Sequence, residues 1–265
     1  MNTSLAGLYF GLLIPLNRKT LSQLFRVKRS GGAGLSVIRC SAWMPHQKCA
    51  KATGHAAADD KSCQARHVGI VDEGSFTIKS DVDGTEKTIK AGDAYVIMPG
   101  HLYTVNGELP LVLYEFESVL DDIIVPQPDE DLDMEAFDGV LNRHEPGVMA
   151  KSFATPDEQV HSKGSLFVSN VALFESAKVQ QVIGKPGASW ARNVKPTLDE
   201  HMNCEHTSCT KRHVGFIKSG QLKVKMDFGG EVIIGPEDAF VIEPGHDAEV
   251  VGNADMVMYE FVTGL

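Results

Sequence analysis

Arg66-His67-Val68-Gly69-Ile70-Val71 and Arg212-His213-Val214-Gly215-Phe216-Ile217 are two versions of one stretch. Working outward, each has a cysteine four residues before its histidine, Cys63 and Cys209, and a glycine seven residues after it, Gly74 and Gly220. Further on, Pro99-Gly100-His101 matches Pro244-Gly245-His246, and both versions close on Tyr-Glu-Phe, at 114–116 and 259–261. The spacing slips by a single residue, between Asp81 and Asp93 in one version and Asp227 and Asp238 in the other. A common order of this length means one fold used twice in tandem.

The elements inside each copy are short strands separated by turns. Ser75–Lys79 and Gln221–Met226 alternate apolar and polar residues with a period of two, which places Leu222, Val224 and Met226 on one face and Lys223 and Lys225 on the other. Turn signals recur at Glu73-Gly74, Asp83-Gly84, Gly92-Asp93, Pro99-Gly100 and Asn106-Gly107, and again at Ser219-Gly220, Gly229-Gly230, Gly235-Pro236, Pro244-Gly245 and Gly252-Asn253. Strands of this length with regular turns predict an all-β chain of antiparallel sandwiches or small barrels, not a βα alternation. Asp93 and Asp238 read as turn formers before a strand.

At 265 residues the chain has room for two compact domains. Residues 1–33 read as a targeting leader or a disordered stretch, 34–118 as a shortened first copy, 119–148 as an acidic linker and 149–265 as the second copy. The second copy has the fuller upstream part, with strands expected over 165–174 and 177–183, and a short helix is expected over 129–141 in the linker. The net charge of −10 is unevenly spread: residues 1–58 carry eight Lys or Arg and no Asp or Glu, so the rest is strongly acidic. An acidic body repels phosphate backbones, which argues against nucleic acid as a partner. The apolar run Leu5–Leu16 is too short for a comfortable membrane span. With the basic, hydroxyl-bearing stretch that follows, it reads as an organelle transit peptide, for a plastid or mitochondrion, and the mature protein is expected to be free of the membrane. The alternative is a disordered tail on a cytoplasmic protein. Five cysteines, odd in number and without a CxxC pair, fit a reducing compartment or a metal role better than a disulfide framework.

Taken together, these residues resemble the cupin superfamily. Its first motif is two histidines, a short gap, a glutamate, six residues and a glycine. His67 to Gly74 and His213 to Gly220 keep the last spacing, with histidine in the glutamate place. Its second motif is a glycine, a strand, Pro-x-Gly and a histidine, and 92–101 and 235–246 are similar to it. More narrowly, Trp190, Val194-Lys195-Pro196, Cys209, Arg212-His213-Val214-Gly215 and Pro244-Gly245-His246-Asp247-Ala248 resemble a group of small cupin-domain proteins. The resemblance implies two tandem cupin-type antiparallel β-barrels, that is, a double-stranded β-helix or jelly roll used twice. It says little about activity, because one fold hosts many functions. The sequence also departs from the family pattern. The usual pair of metal histidines is missing, cysteine lies near the second histidine place, and His206 or Asp60 lies near the first. The second-motif histidine follows the glycine directly instead of two residues later. Residues two apart on a strand share a face, so His246 and Ala248, like His101 and Tyr103, can still point inward.

Cys209, His213 and His246 offer one thiolate and two imidazoles, and Cys63, His67 and His101 repeat the set. Such donors suit a divalent transition metal, zinc or iron foremost, over magnesium or calcium. Three protein ligands leave a position open for water or substrate. His206 is the candidate fourth ligand in the second copy, with Asp60 its counterpart in the first. The competing reading is a buried cysteine beside two hydrogen-bonded histidines, with no metal. His55, His144 and His161 read as surface residues, and His201 stays open. Arg66 and Arg212, on the opposite strand face, read as inter-sheet or inter-domain contacts, and Trp43, Trp190, Tyr114 and Tyr259 as packing residues.

Three functions follow. The first is a metal-binding enzyme acting on a small organic molecule, with the metal as Lewis acid or water activator. The second is a non-catalytic module that binds or senses a small ligand. The third is a structural, storage-like bicupin. The partner in the first two is a small molecule, and barrel pairing is expected either within the chain or in a homodimer.

Overall fold

A computed structural model of the chain describes residues 25–29, 35–40, 62–63, 65–107, 110–116, 146–202 and 206–263. Strands β1 (Phe25–Arg29), β2 (Leu35–Cys40), β3 (His67–Glu73), β4 (Ser75–Ser80), β5 (Glu86–Lys90), β6 (Asp93–Ile97), β7 (His101–Val105) and β8 (Leu111–Phe116) belong to the first copy. They are followed by β9 (Val148–Ser152), β10 (Glu158–His161), β11 (Phe167–Leu173), β12 (Ala177–Gly184), β13 (His213–Ser219), β14 (Gln221–Met226), β15 (Glu231–Ile234), β16 (Ala239–Ile242), β17 (His246–Val251) and β18 (Met256–Thr263).

Each copy is a six-stranded sheet facing a three-stranded one. The large sheets run β1-β2-β8-β3-β6-β9 and β10-β11-β12-β18-β13-β16, and the small sheets run β5-β4-β7 and β15-β14-β17. The pairings at corresponding places are antiparallel, among them β3 with β6 and β8, and β13 with β16 and β18. This is the all-β, two-barrel arrangement expected of the repeat.

The small sheets face solvent on one side, so their strands alternate. Leu222, Val224 and Met226 of β14 are buried while Gln221 and Lys225 are exposed. Strands β6 and β8 do not alternate. All five residues of β6 are buried, and so are the first five of β8. The reason is that the two large sheets pack back to back. Val68, Ile70, Ala94, Val96 and Tyr114 of the first copy share one core with Phe174, Val179, Phe216, Tyr259 and Phe261 of the second. Tyr114 meets Phe216 at 5.0 Å between ring centroids, and Phe116 stacks on Phe261 at 6.0 Å. A strand buried on both faces reads as a continuous apolar run. Inside the barrels, Val71, Phe76, Ile78, Tyr95, Ile97 and Leu113 fill the first, and Ile217, Leu222, Val224, Phe240, Ile242 and Met256 fill the second.

Two strands lie where the sequence did not place them. β1 falls inside the stretch 1–33 set aside as a leader, and it pairs with β2 from Phe25↔Cys40 to Arg29↔Ser36. Its sequence, Phe-Arg-Val-Lys-Arg, has strand alternation that its basic content hides. β9, expected at the start of the second copy, pairs with β6 of the first, from Asp93↔Ser152 to Ile97↔Val148. Val148 contributes to the first barrel's core and Met149 packs against the shared one.

The expected strands over 165–174 and 177–183 form as β11 and β12, which pair with each other. Between β12 and β13 the chain makes a π-helical stretch, Trp190–Val194, that runs into the α-helix Lys195–Met202. Ser189 Oγ caps the π-helical stretch by accepting from Arg192 N at 3.3 Å. The linker helix expected over 129–141, and Trp43, His55, Asp60 and His144, lie outside the described residues. Among the described residues, no helix is long and apolar enough to cross a membrane.

Candidate metal centre

The Pro-Gly-His turns deliver one ligand candidate each. Gly100 and Gly245 sit at φ +84°, where a Cβ is strained. This turn sends His101 and His246 into the barrels, each only 2 % exposed. The cysteines come from short segments stapled to the same turns. Cys63 N donates to His101 O at 2.8 Å and Gly100 N to Cys63 O at 2.7 Å; Cys209 N donates to His246 O at 2.8 Å and Gly245 N to Cys209 O at 2.7 Å. The third candidates, His67 and His213, open β3 and β13. The inward pointing expected for residues two apart holds: Tyr103 and Ala248 pack against the same interior cores.

Cys63, His67 and His101 thus converge, as do Cys209, His213 and His246, with their donor atoms all within 4.8 Å of one another in each group. Cys63 Sγ lies 3.4 Å from His67 Nε2, and Cys209 Sγ lies 3.4 Å from His213 Nε2. Both cysteines are free thiols. The far nitrogen of every histidine is tied down. His101 Nδ1 donates to Met98 O at 2.7 Å, and His246 Nδ1 donates to Glu243 O at 2.6 Å. His67 Nδ1 bonds Glu115 Oε2 at 3.2 Å, and His213 Nδ1 bonds Glu260 Oε1 at 2.6 Å. With Nδ1 committed to these acceptors, Nε2 is the nitrogen that faces the sulfur, and it is the atom a metal would take in place of its proton.

Burial and charge oppose each other here. Burial pushes the Cys63 thiol up, but hydrogen bonds from His101 and His67 outweigh it and bring the pKa down to about 5. In the second copy burial again raises the thiol, and His213 and His246 bring Cys209 down to about 6. Burial disfavours charge on His67, yet the Glu115 carboxylate and Cys63 raise it to about 10. Burial likewise resists a charge on His213, and Glu260 with Cys209 raises it to about 10. Burial pushes Glu260 up, and the His213 cation outweighs that and holds it below the ordinary carboxylate range. Each site therefore holds a thiolate, the form that binds metal.

The donor set and its supports fit a divalent transition metal: one thiolate, two oriented imidazoles, and outer hydrogen bonds to each imidazole. Six of the seven ligand candidates come together. His206 is exposed and stands outside the converged group. It lies in an irregular loop before Cys209, where no strand period sets its direction. His161 is exposed on β10, as expected. Asp93 and Asp238 accept turn amides, from Lys90 N at 3.1 Å and Gly235 N at 2.9 Å. Arg66 makes the expected contact between copies, donating to Ser176 O at 3.4 Å and to the Ser176 hydroxyl. Arg212 instead pairs with Glu243 of its own copy at 3.1 Å. Trp190 is buried, a packing residue.

Four supporting residues escaped sequence reasoning. Glu115 and Glu260 are 5 % and 3 % exposed at the centres of the repeated Tyr-Glu-Phe. A glutamate inside an apolar strand of both copies was the available signal. Tyr95 donates to Glu115 Oε1 at 2.7 Å, and Gln180 donates to Glu260 Oε2. Neither has an identical residue at the matching place in the other copy, so the repeat did not reveal them.

No family model and no curated protein matches the sequence. Solved structures share the fold. Procruciferin, an 11S globulin from Brassica napus, is similar at a TM-score of 0.53 and 10% identity, over 94% of this chain and 84% of that one. The coconut allergen cocosin is similar at 0.56 and 11%, over 94% and 84%. A variant of 2-hydroxyethylphosphonate dioxygenase is similar at 0.56 and 9%, over 93% and 75%. At such identities the likeness is one of fold. It agrees with the paired sheets and with the doubled motifs: this chain has the cupin fold, in its tandem, bicupin form.

Proposed function

We propose that each copy holds one divalent transition metal, zinc or iron, and that the loaded protein is an enzyme acting on a small organic molecule. The observation that carries this reading is the duplicate convergence of Cys63, His67 and His101 and of Cys209, His213 and His246. A metal bound by three protein donors can polarise a substrate oxygen or lower the pKa of a water at its open position. The chain's own residues supply the rest. The thiolates and Nε2 atoms are the ligands. Glu115 and Glu260 hold the proton on Nδ1, and the backbone carbonyls of Met98 and Glu243 do the same for His101 and His246. The apolar barrel walls limit water around the site. The His213 side chain is 23% exposed against 13% for His67, which favours the second copy as the one that meets a ligand.

The test is metal content of full-length protein purified without a histidine tag and then reconstituted with zinc or iron(II). The expected content is one ion per copy. Cys209→Ala/His246→Ala should remove one, and Cys63→Ala/His101→Ala the other. A folded protein that binds no metal after reconstitution, and is indifferent to both pairs of substitutions, overturns the proposal.

A further inference from the structure

The two centres are braced by different donors. In the first copy Tyr95 of β6 stands opposite Gly69 of β3, and its hydroxyl donates to Glu115 Oε1 at 2.7 Å. In the second copy Phe240 of β16 stands opposite Gly215 of β13 and has no hydroxyl. There the amide of Gln180 on β12 donates to Glu260 Oε2. Gln180 is the register partner of Glu260. The two rings cover equivalent ground. A Cβ on Gly69 would lie 2.6 Å from Tyr95 Cζ and 2.5 Å from its hydroxyl oxygen, and one on Gly215 would lie 2.9 Å from Phe240 Cζ. Each carboxylate therefore bonds a histidine through one oxygen and accepts at the other, from Tyr95 of β6 in one copy and from Gln180 of β12 in the other.

We infer that Tyr95 and Gln180 are positioning residues, each orienting the metal-ligating histidine of its own copy through the buried carboxylate, so that the two centres are tuned separately and differ in metal affinity. This rests on the metal reading above. A carboxylate bonded through one oxygen only is free to swing about its side-chain torsions; a donor on the second oxygen fixes its plane and with it the imidazole. The two braces differ in stiffness. Tyr95 is fully buried at 0% exposure, and its phenol turns on two torsions. Gln180 is half-buried and has three torsions to immobilise. The first centre is therefore the tighter one.

Cobalt(II) binding to the full-length chain tests this, followed by the thiolate-to-cobalt charge-transfer band, which reports occupancy without any need for activity. Cys209→Ala isolates the first centre and Cys63→Ala the second. In these backgrounds the first centre should bind cobalt more tightly. Tyr95→Phe should weaken the first centre about tenfold and leave the second within about twofold, and Gln180→Leu should do the reverse. Adding Phe240→Tyr to Gln180→Leu places a hydroxyl where Tyr95 has one and should restore the second centre, a rescue that a purely structural role for Gln180 would not produce. If Tyr95→Phe fails to fold, the Gln180→Leu arm and its rescue decide alone. A bound cobalt band that neither substitution weakens, equal losses at both centres, or no rescue overturns the inference while the metal reading stands. A folded parent protein with no band overturns the metal reading and this inference with it.

Discussion

Replacing Glu260 by glutamine tests the centre with the least change in shape. Glu260 is 3 % exposed and bonds His213 Nδ1 at 2.6 Å, with Gln180 on its other oxygen. A carboxylate accepts at both positions, so it requires Nδ1–H and leaves Nε2 facing Cys209 Sγ, 3.4 Å away. Glutamine has one acceptor and one donor. With its oxygen towards His213, its NH2 meets the Gln180 amide donor to donor, until Gln180 turns its own amide over. With its NH2 towards His213, the ring is driven to the Nε2–H tautomer, which has no lone pair for a metal. The first arrangement costs less, and it still loses the negative charge that raises the basicity of the imidazole. Loss of such an outer partner weakens metal binding by about 10- to 100-fold, equivalent to about 1.4–2.7 kcal/mol. Because Gln180 can adjust, the lower end of that range is expected. The assay is zinc competition against a chelator in full-length Cys63→Ala protein, with and without Glu260→Gln. An unchanged zinc affinity in a folded Glu260→Gln protein, alongside loss of zinc in Cys209→Ala, would refute the reasoning about Glu260.

The pH dependence of the metal-free protein follows from the same groups. His67, raised from 6.5 to about 10, contributes stability that is full below 6.5 and is lost as pH rises through about 10. Cys63, lowered from 9.0 to about 5, contributes stability that is full above 9.0 and is lost as pH falls through about 5. Together they predict a plateau between those ordinary values, 6.5 and 9.0, with declines on both sides, read by urea midpoints across pH; a monotonic profile would contradict it. Gly215→Ala should destabilise strongly, since its Cβ would lie 2.0 Å from Tyr259 O, a backbone atom that cannot move away without breaking the β13–β18 pairing. A loss of about 3 kcal/mol, the upper end of the usual range for overpacking, is expected in denaturant unfolding, and a midpoint near the parent's would count against the close approach. Phe216→Ala removes a 1 % exposed ring from the core shared by the copies. It should cost about 3–5 kcal/mol and shift the unfolding of both copies; a shift confined to the second would show that they unfold separately.

The repeated stretch was legible because its residues are tied to local geometry. The glycines at φ +77° and +71°, Gly74 and Gly220, mark the hairpins after β3 and β13, and alternation in β4 and β14 reports a sheet with one wet face. The cysteine-to-histidine spacing and the Pro-Gly-His turns point to the six residues that converge in the two groups. Legibility failed where a residue's role depends on what packs across from it. β6 and β8 lack alternation because a second sheet covers their outer faces. β9 lies in sequence next to the second copy, yet its hydrogen bonds go to the first.

From the chain alone come the duplication, the strand-and-turn order and the ligand types. These are carried by short-range patterns of period, turn chemistry and donor identity. The tertiary fold settled which donors meet and which do not. It left His206 outside the converged group, recruited Glu115 and Glu260 from the last strand of each copy, and braced them with Tyr95 in one and Gln180 in the other. Those contacts join residues far apart in the chain, His213 with Glu260 and Gln180 with Glu260 among them, and strand register places them together. Register is set by the burial of whole faces across two sheets, a quantity that no single stretch of sequence contains.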